Sequence, residues 1–282
     1  KGSVLCDFDL DGDLDLYYGY ANSYYFENSG SVFKDKTLEY DINDSGCRGI
    51  VVGDMDNNGY PDILKWRFMS EISSDHDCDE YDYEAVCIED PNCYWDTNNC
   101  WDAAEPQFIP HLILMNDGNS TFLTHEFLPS NELPFLHSLG LLDADLDGDL
   151  DMLAIQEEND DQFMLYLNDG FNDEGDPELN LAYTFYRSYG GISASRILAI
   201  SDYDDDGDQD IYVGRKYGYN WFFENQTLTG EPGNVVYDSN PEPFFIEKAL
   251  SLGIADSEVN EIGSMGYGAA WGDYDNDQDF DL

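Results

Sequence analysis

Positive charge is what this chain has least of. Across 282 residues, 11 Lys and Arg face 61 Asp and Glu, a formal net charge of −50. Nucleic acid and anionic membranes are gripped by basic side chains, so neither is expected as a partner. Ion pairing within the chain cannot neutralise this excess, and cations from solution are the natural complement. Long apolar runs are missing too: no uncharged stretch approaches the ~20 residues of a membrane span, and no signal peptide is legible. No stretch of ten or more residues keeps a helical period. Neither HExxH nor GxSxG occurs, and "GYGAAWG" lacks both the GxGxxG spacing and a following helix. His76, His111, His125 and His137 stand apart in sequence and read as structural or exposed. The expectation is a protein that is not an enzyme.

Apolar residues make up 42% and aromatics 15%, enough for a substantial core. Six cysteines are present, and Cys78, Cys87, Cys93 and Cys100 crowd into "CDEYDYEAVCIEDPNCYWDTNNC". Their intervals fit zinc pairs poorly, so disulfides are favoured over metal, with three pairings open. Cys6 and Cys47 offer a third bond. Sequons at Asn43 ("NDS"), Asn119 ("NST") and Asn225 ("NQT") agree with an extracellular setting, secreted or at a cell surface. The chain opens and stops inside a repeat, and reads as a mature piece or fragment of something longer.

That repeat is carried by "DFDLDGDLD" at 7, "DMDNNGYPD" at 54, "DADLDGDLD" at 143, "DYDDDGDQD" at 202 and "DYDNDQDFD" at 273. An Asn-containing turn keeps phase with them: "FENSG", "LMNDG", "LYLNDG" and "FFENQTLTG". From the first Asp to that Asn the offsets are 21, 62, 25 and 23 residues. The outlier contains the cysteine-rich segment, an insertion over residues 69–107 of the second repeat. Between the clusters lie runs of four to eight residues rich in Tyr, Phe, Ile and Val, punctuated by Gly, Asn and Asp. They give four strands per repeat, the blade of a β-propeller. The fold class expected over 1–282 is all-β: a propeller of four-stranded blades, about four loop-to-loop repeats with five Asp-rich loops, as a fragment or incomplete ring.

Curled by Gly12, Gly59, Gly148 or Gly207, the aspartates converge on one point, which is unfavourable unless a cation sits there. Ca²⁺ takes six to eight oxygens at ~2.3–2.6 Å in irregular geometry; Mg²⁺ wants a tighter octahedron and Zn²⁺ prefers nitrogen or sulfur. The alternative is a set of solvated acidic loops, or the surface of a salt-adapted protein. Of the 61 acids, 24 lie in these five clusters, and that concentration at one phase favours ligation.

The pattern D-x-D-x-D-G-x-x-D between two apolar strands resembles the FG-GAP (VCBS-type) repeat, the calcium-loop blade of integrin α-subunit propellers. "MGYGAAWGDYDNDQDFDL", preceded by "FFIEKALSLGI", is similar to the extracellular ASPIC/UnbV type. The resemblance implies ligation by side chains at positions 1, 3, 5 and 9 and by the carbonyl of position 7. These are Asp7, Asp9, Asp11, Asp15 and the carbonyl of Asp13; Asp143, Asp145, Asp147, Asp151 and the carbonyl of Asp149; and Asp202, Asp204, Asp206, Asp210 and the carbonyl of Asp208. Loop two offers Asp54, Asp56, Asn58, Asp62 and the carbonyl of Tyr60, with less charge. Loop five offers Asp273, Asp275, Asp277, Asp281 and the carbonyl of Asp279, with Gln278 where glycine belongs. Up to five Ca²⁺ are implied. The function expected is a calcium-stabilised module for structure, adhesion or assembly, extending to an extracellular filament. Its partners would be an extracellular protein, a glycan or further copies of itself. The alternative is a carbohydrate-binding or polysaccharide-degrading protein on the same scaffold.

Overall fold

In the computed structural model, the residues described are 2–19, 22–42, 47–66, 93–96, 99–102, 111–119, 121–127, 136–157, 161–172, 175–187, 195–215, 219–229, 236–238, 241–242, 244–255, 269–272 and 274. They form four antiparallel sheets of four strands. The first contains β1 (Gly2–Cys6), β2 (Asp15–Gly19), β3 (Ser23–Asn28) and β4 (Phe33–Asp35) in that order. The second is built of β5 (Gly49–Gly53), β6 (Asp62–Trp66), β9 (His111–Asn116) and β10 (Phe122–Phe127). A separate hairpin of β7 (Cys93–Asp96) and β8 (Asn99–Asp102) lies between β6 and β9 in sequence. The third runs β11 (Leu136–Leu142), β12 (Asp151–Glu157), β13 (Asp161–Phe171), β14 (Pro177–Arg187). The fourth runs β15 (Ser195–Ser201), β16 (Asp210–Arg215), β17 (Trp221–Asn225) and finally β20 (Phe245–Glu247). The small hairpin β18 (Leu228–Thr229) and β19 (Val236–Tyr237) precedes β20 in the chain. One helical turn, α1 (Ala249–Leu252), follows and ends on Gly253 in the left-handed conformation.

Each sheet is a propeller-like blade, and the blades lie face to face with β1 beside β5, β5 beside β11 and β11 beside β15. The core is therefore divided into layers between consecutive blades. Phe8, Tyr17, Tyr25 and Tyr40 of the first meet Ile63, Leu114 and Phe122 of the second. Leu64, Trp66, Ile113 and Met115 of the second meet Leu139, Met152, Ala154 and Met164 of the third. Leu153, Ile155, Phe163 and Leu165 of the third meet Val213, Trp221, Phe223 and Phe245 of the fourth. Alternate residues of one strand thus serve two cores: Met152 and Ala154 face backward, Leu153 and Ile155 forward. This explains why the central strands read as continuous apolar runs, as expected for strands covered on both faces. Within the second blade, the Trp66 ring crosses its strand partner Gly49 so closely that an added Cβ would stand 1.8 Å from it.

The far face of the first blade is different. Leu5 (56% exposed), Tyr18 and Tyr24 (37% each) open to solvent, and Tyr18, Tyr24 and Phe26 stack in a row along it.

The expected Cys6–Cys47 bond is not formed; both residues are thiols. The register explains this. Cys6 pairs with Asp15 at one end of the β1–β2 ladder, whereas Cys47 lies against Gly19 at the other end, where a Cβ would stand 2.8 Å from its Sγ. Four residues of strand separate the ends by ~13 Å, beyond the ~7 Å Cα limit for a disulfide. Cys78 and Cys87 lie outside the described residues, as do the side chains of Cys93 and Cys100.

Candidate metal centres at the blade corners

Each of the four described Asp clusters connects the first and second strands of a blade, and its ninth residue is the first of the second strand. The four described loops share a common set of hydrogen bonds. The first carboxylate caps the turn: Gly12, Gly59, Gly148 and Gly207 donate their N–H to Oδ2 of Asp7, Asp54, Asp143 and Asp202 at 2.8–3.1 Å. These glycines have φ of 96°, 92°, 101° and 108°, a region that resists side chains. Two positions earlier the chain is left-handed again, at Leu10, Asn57, Leu146 and Asp205 with φ of 55–60°. Two tight reversals in nine residues fold the carboxylates inward. The sequence marks the second with glycine, but the first carries no common residue type.

The ninth aspartate anchors the corner. Asp15, Asp62, Asp151 and Asp210 are buried, at most 1% exposed. One oxygen of each accepts the N–H of the second loop residue: Phe8, Met55, Ala144 and Tyr203 at 2.7–3.1 Å. The other accepts the N–H of the phased asparagine: Asn28, Asn116, Asn168 and Asn225 at 2.7–2.9 Å. The fifth residue takes one pose throughout, its Oδ1 accepting the N–H of residue seven, at Asp11, Asn58, Asp147 and Asp206. Asn58 also donates to Asp56 Oδ2 at 3.1 Å, an internal compensation the all-Asp loops lack. The seventh side chains point elsewhere: Asp13 accepts from Gly30 N–H, Asp208 from Leu228 N–H, and Asp149 from Asn57 Nδ2 of the preceding loop.

The geometry brings three carboxylate oxygens of each corner within 4.8 Å of one another. The sets are Asp7, Asp9 and Asp15; Asp54, Asp56 and Asp62; Asp143, Asp145 and Asp151; and Asp202, Asp204 and Asp206. These groups can hold a metal ion, and their donors are all oxygen, the set preferred by hard cations. The ion pairs between described residues join Lys36 to Glu27 and Glu39, His125 to Asp176, and Lys248 to Glu224; none engages a corner. Asp143 Oδ1 and Asp204 Oδ1 are buried and accept no hydrogen bond, an arrangement that fits a cation between the carboxylates.

Without such an ion, the more deeply buried of these carboxylates hold their protons above the ordinary carboxylate range. Burial pushes Asp62 and Asp151 up to about 7 and Asp210 up to about 8, against the opposing pull of their backbone donors. Asp204 rises to about 6, through burial first and its carboxylate neighbours second. Asp9, Asp15, Asp56, Asp143, Asp145 and Asp206 move the same way, burial again leading.

Loop five, with Asp273, Asp275, Asp277, Asp279 and Asp281, lies outside the described residues, as does Asn43. Asn119 is exposed in a turn against Asp117. Asn225 is 1% exposed and its Nδ2 donates to Ala144 O, so in the folded chain this sequon amide is occupied by structure.

Sequence phase singled out the asparagines only as turn markers. Their amides in fact cross between blades: Asn116 Nδ2 donates to Phe8 O (2.8 Å), Asn168 Nδ2 to Met55 O (3.2 Å) and Asn225 Nδ2 to Ala144 O (2.9 Å). Each acceptor is the second residue of the preceding corner.

Residues 7–64, from the first corner through most of β6, match the FG-GAP-like repeat family model. No curated protein matches the chain.

Proposed function

We propose that this chain is a calcium-stabilised β-propeller module of the VCBS and ASPIC/UnbV type, acting outside the cell in adhesion or assembly without catalysis of its own. The observation that carries this reading is the fourfold corner, with converging carboxylates and no ion pair to a basic side chain among the described residues. Ca²⁺ suits it because the ion accepts irregular shells of six to eight oxygens at ~2.3–2.6 Å. The ligands at each corner are drawn from positions 1, 3, 5 and 9 and the carbonyl of position 7. Bound ions offset the repulsion among buried carboxylates, and their binding free energy adds to folding free energy. An extracellular setting agrees with this chemistry, since dissolved calcium reaches millimolar levels there. No helix among the described residues is long and apolar enough to cross a membrane. Chelation with excess EDTA is expected to lower the melting temperature markedly; an unchanged melt removes the basis of the reading.

In the proposed assembly, the face of the first blade is the surface that a further blade or copy would cover. The equivalent faces of the next three blades are covered, whereas Tyr18 and Tyr24 are exposed. The same row of rings supports a second reading, since a flat stack of aromatics also suits the apolar face of a sugar. A glycan array with Tyr24→Ala as control, together with a polysaccharide depolymerisation assay, separates the two. Glycan binding lost in the variant favours the carbohydrate reading, and polymer cleavage ends the non-catalytic one.

A further inference from the structure

The cross-blade asparagines close a circuit wider than any one corner. Asp15 Oδ2 accepts Phe8 N–H, and the carbonyl of Phe8 accepts from Asn116 Nδ2. Asn116 N–H donates to Asp62 Oδ1, and Asp62 Oδ2 accepts Met55 N–H. Met55 O accepts from Asn168 Nδ2, Asn168 N–H donates to Asp151 Oδ1, and Asp151 Oδ2 accepts Ala144 N–H. Ala144 O accepts from Asn225 Nδ2, and Asn225 N–H donates to Asp210 Oδ1. This is one continuous string of hydrogen bonds through all four ninth-position carboxylates. Every residue along it from Phe8 to Asp210 is buried, none more than 3% exposed. The amide orientation is set independently, because Asn116, Asn168 and Asn225 each accept a backbone N–H on Oδ1, from Gly118, Gly170 and Thr227. Only Nδ2 is left to face the neighbouring carbonyl.

We infer that Asn116, Asn168 and Asn225 are positioning residues that couple each cation site to the next, so that the corners fill cooperatively. The inference rests on the calcium reading above. Carboxylates crowded without an ion repel one another and loosen the loop; an ion fixes the ninth carboxylate and, through the N–H it accepts, the backbone of residue two. The carbonyl of that same residue, on the far side of its Cα, is the acceptor on which the next blade's asparagine is seated, and the asparagine's N–H orients the next ninth carboxylate. Ordering one corner therefore lowers what remains to be ordered at its neighbour, which is positive coupling and acts equally in both directions. Corners two and three share a second link, Asn57 Nδ2 to Gly148 O (3.1 Å) and to Asp149 Oδ1 (2.5 Å). Asn28 supplies an internal control. It holds Asp15 as its counterparts hold theirs, but its Nδ2 donates to Leu14 O within its own loop.

The test is equilibrium dialysis of the full chain against radioactive Ca²⁺, reading stoichiometry and Hill coefficient. The wild type should bind with a Hill coefficient above 1, one filled corner raising its neighbour's affinity about 5-fold. Asn168→Ala cuts the string at its middle, and should lower the coefficient and raise the half-saturation concentration while Asn28→Ala leaves the coefficient unchanged. Equal effects of the two variants overturn the coupling and leave only a local structural role. Should Asn168→Ala fail to fold, Asp54→Asn with Asp56→Asn asks the same question with every asparagine in place. Coupling predicts one ion lost and about 5-fold weaker binding at the neighbouring corners one and three; one ion lost with the remaining affinities intact overturns it. A wild type that takes up no calcium at millimolar concentration defeats the calcium reading itself, a result distinct from independent binding.

Discussion

Replacing Asp151 by Asn separates an ion ligand from an ordinary hydrogen-bond acceptor. Asp151 accepts Ala144 N–H at 2.7 Å and Asn168 N–H at 2.9 Å, and is 1% exposed. An amide at this position keeps one acceptor and turns an NH₂ toward the other donor, leaving a buried N–H unsatisfied at a cost of about 1–3 kcal/mol. Against this, the carboxylate is pushed from 3.8 up to about 7 by burial, so above pH 7 its charge strains the ion-free fold by on the order of 4 kcal/mol. In EGTA at pH 8 the two effects offset, and the variant should melt no lower than the wild type. In calcium the balance reverses. Loss of one site at 100-fold its Kd removes about 2.7 kcal/mol of binding stabilisation. At ~2–4 °C per kcal/mol for a chain somewhat below this size, the calcium-induced gain in Tm should shrink by ~5–11 °C. Paired calorimetric scans in calcium and in EGTA measure both. An equal loss of Tm in the two media means that Asp151 serves only its backbone donors, and refutes the account.

Other consequences follow from the same corners. In chelator the folded chain binds more protons than the unfolded one between the ordinary carboxylate pKa and the raised values of about 7 for Asp62 and Asp151 and about 8 for Asp210. Ion-free stability should therefore be fullest in acid and decline as pH rises through 7–8, whereas in calcium acidification displaces the ions and stability falls. Melting curves at pH 5 and pH 8 with and without EGTA should cross; parallel trends contradict the assignment. Leu10 is 52% exposed at φ 58°, a conformation that costs a non-glycine residue about 1–2 kcal/mol and that Asn tolerates better. Leu10→Asn should raise Tm by a few degrees, and a lowered Tm speaks against the corner geometry. Cys6 and Cys47 should both take up maleimide after denaturation without reductant, read by mass; a Cys6–Cys47 peptide in the digest contradicts the strand register.

The fold was legible where residues repeat. Tyr-, Phe- and Ile-rich runs between Gly, Asn and Asp marked the strands, and the Asp clusters marked the corner between the first two strands of every blade. What stayed hidden depends on which blade meets which. Asn116 lies 108 residues from Phe8 and Asn168 lies 113 from Met55, so phase reveals that the asparagine recurs but not what its amide touches. Leu10, Asn57, Leu146 and Asp205 share a backbone conformation without sharing chemistry, and no composition rule connects them. The Cys6–Cys47 pairing failed for the same reason. A cysteine at the end of β1 and one just before β5 look available to each other until the register sets them at opposite ends of a ladder.

The most direct test is a crystal of the chain grown in millimolar calcium, with anomalous differences recorded at a wavelength where calcium scatters. The account predicts a peak at each described corner, among Asp7, Asp9 and Asp15; Asp54, Asp56 and Asp62; Asp143, Asp145 and Asp151; and Asp202, Asp204 and Asp206, with oxygens at ~2.3–2.6 Å. Corners without peaks, their carboxylates turned out to solvent, would contradict it.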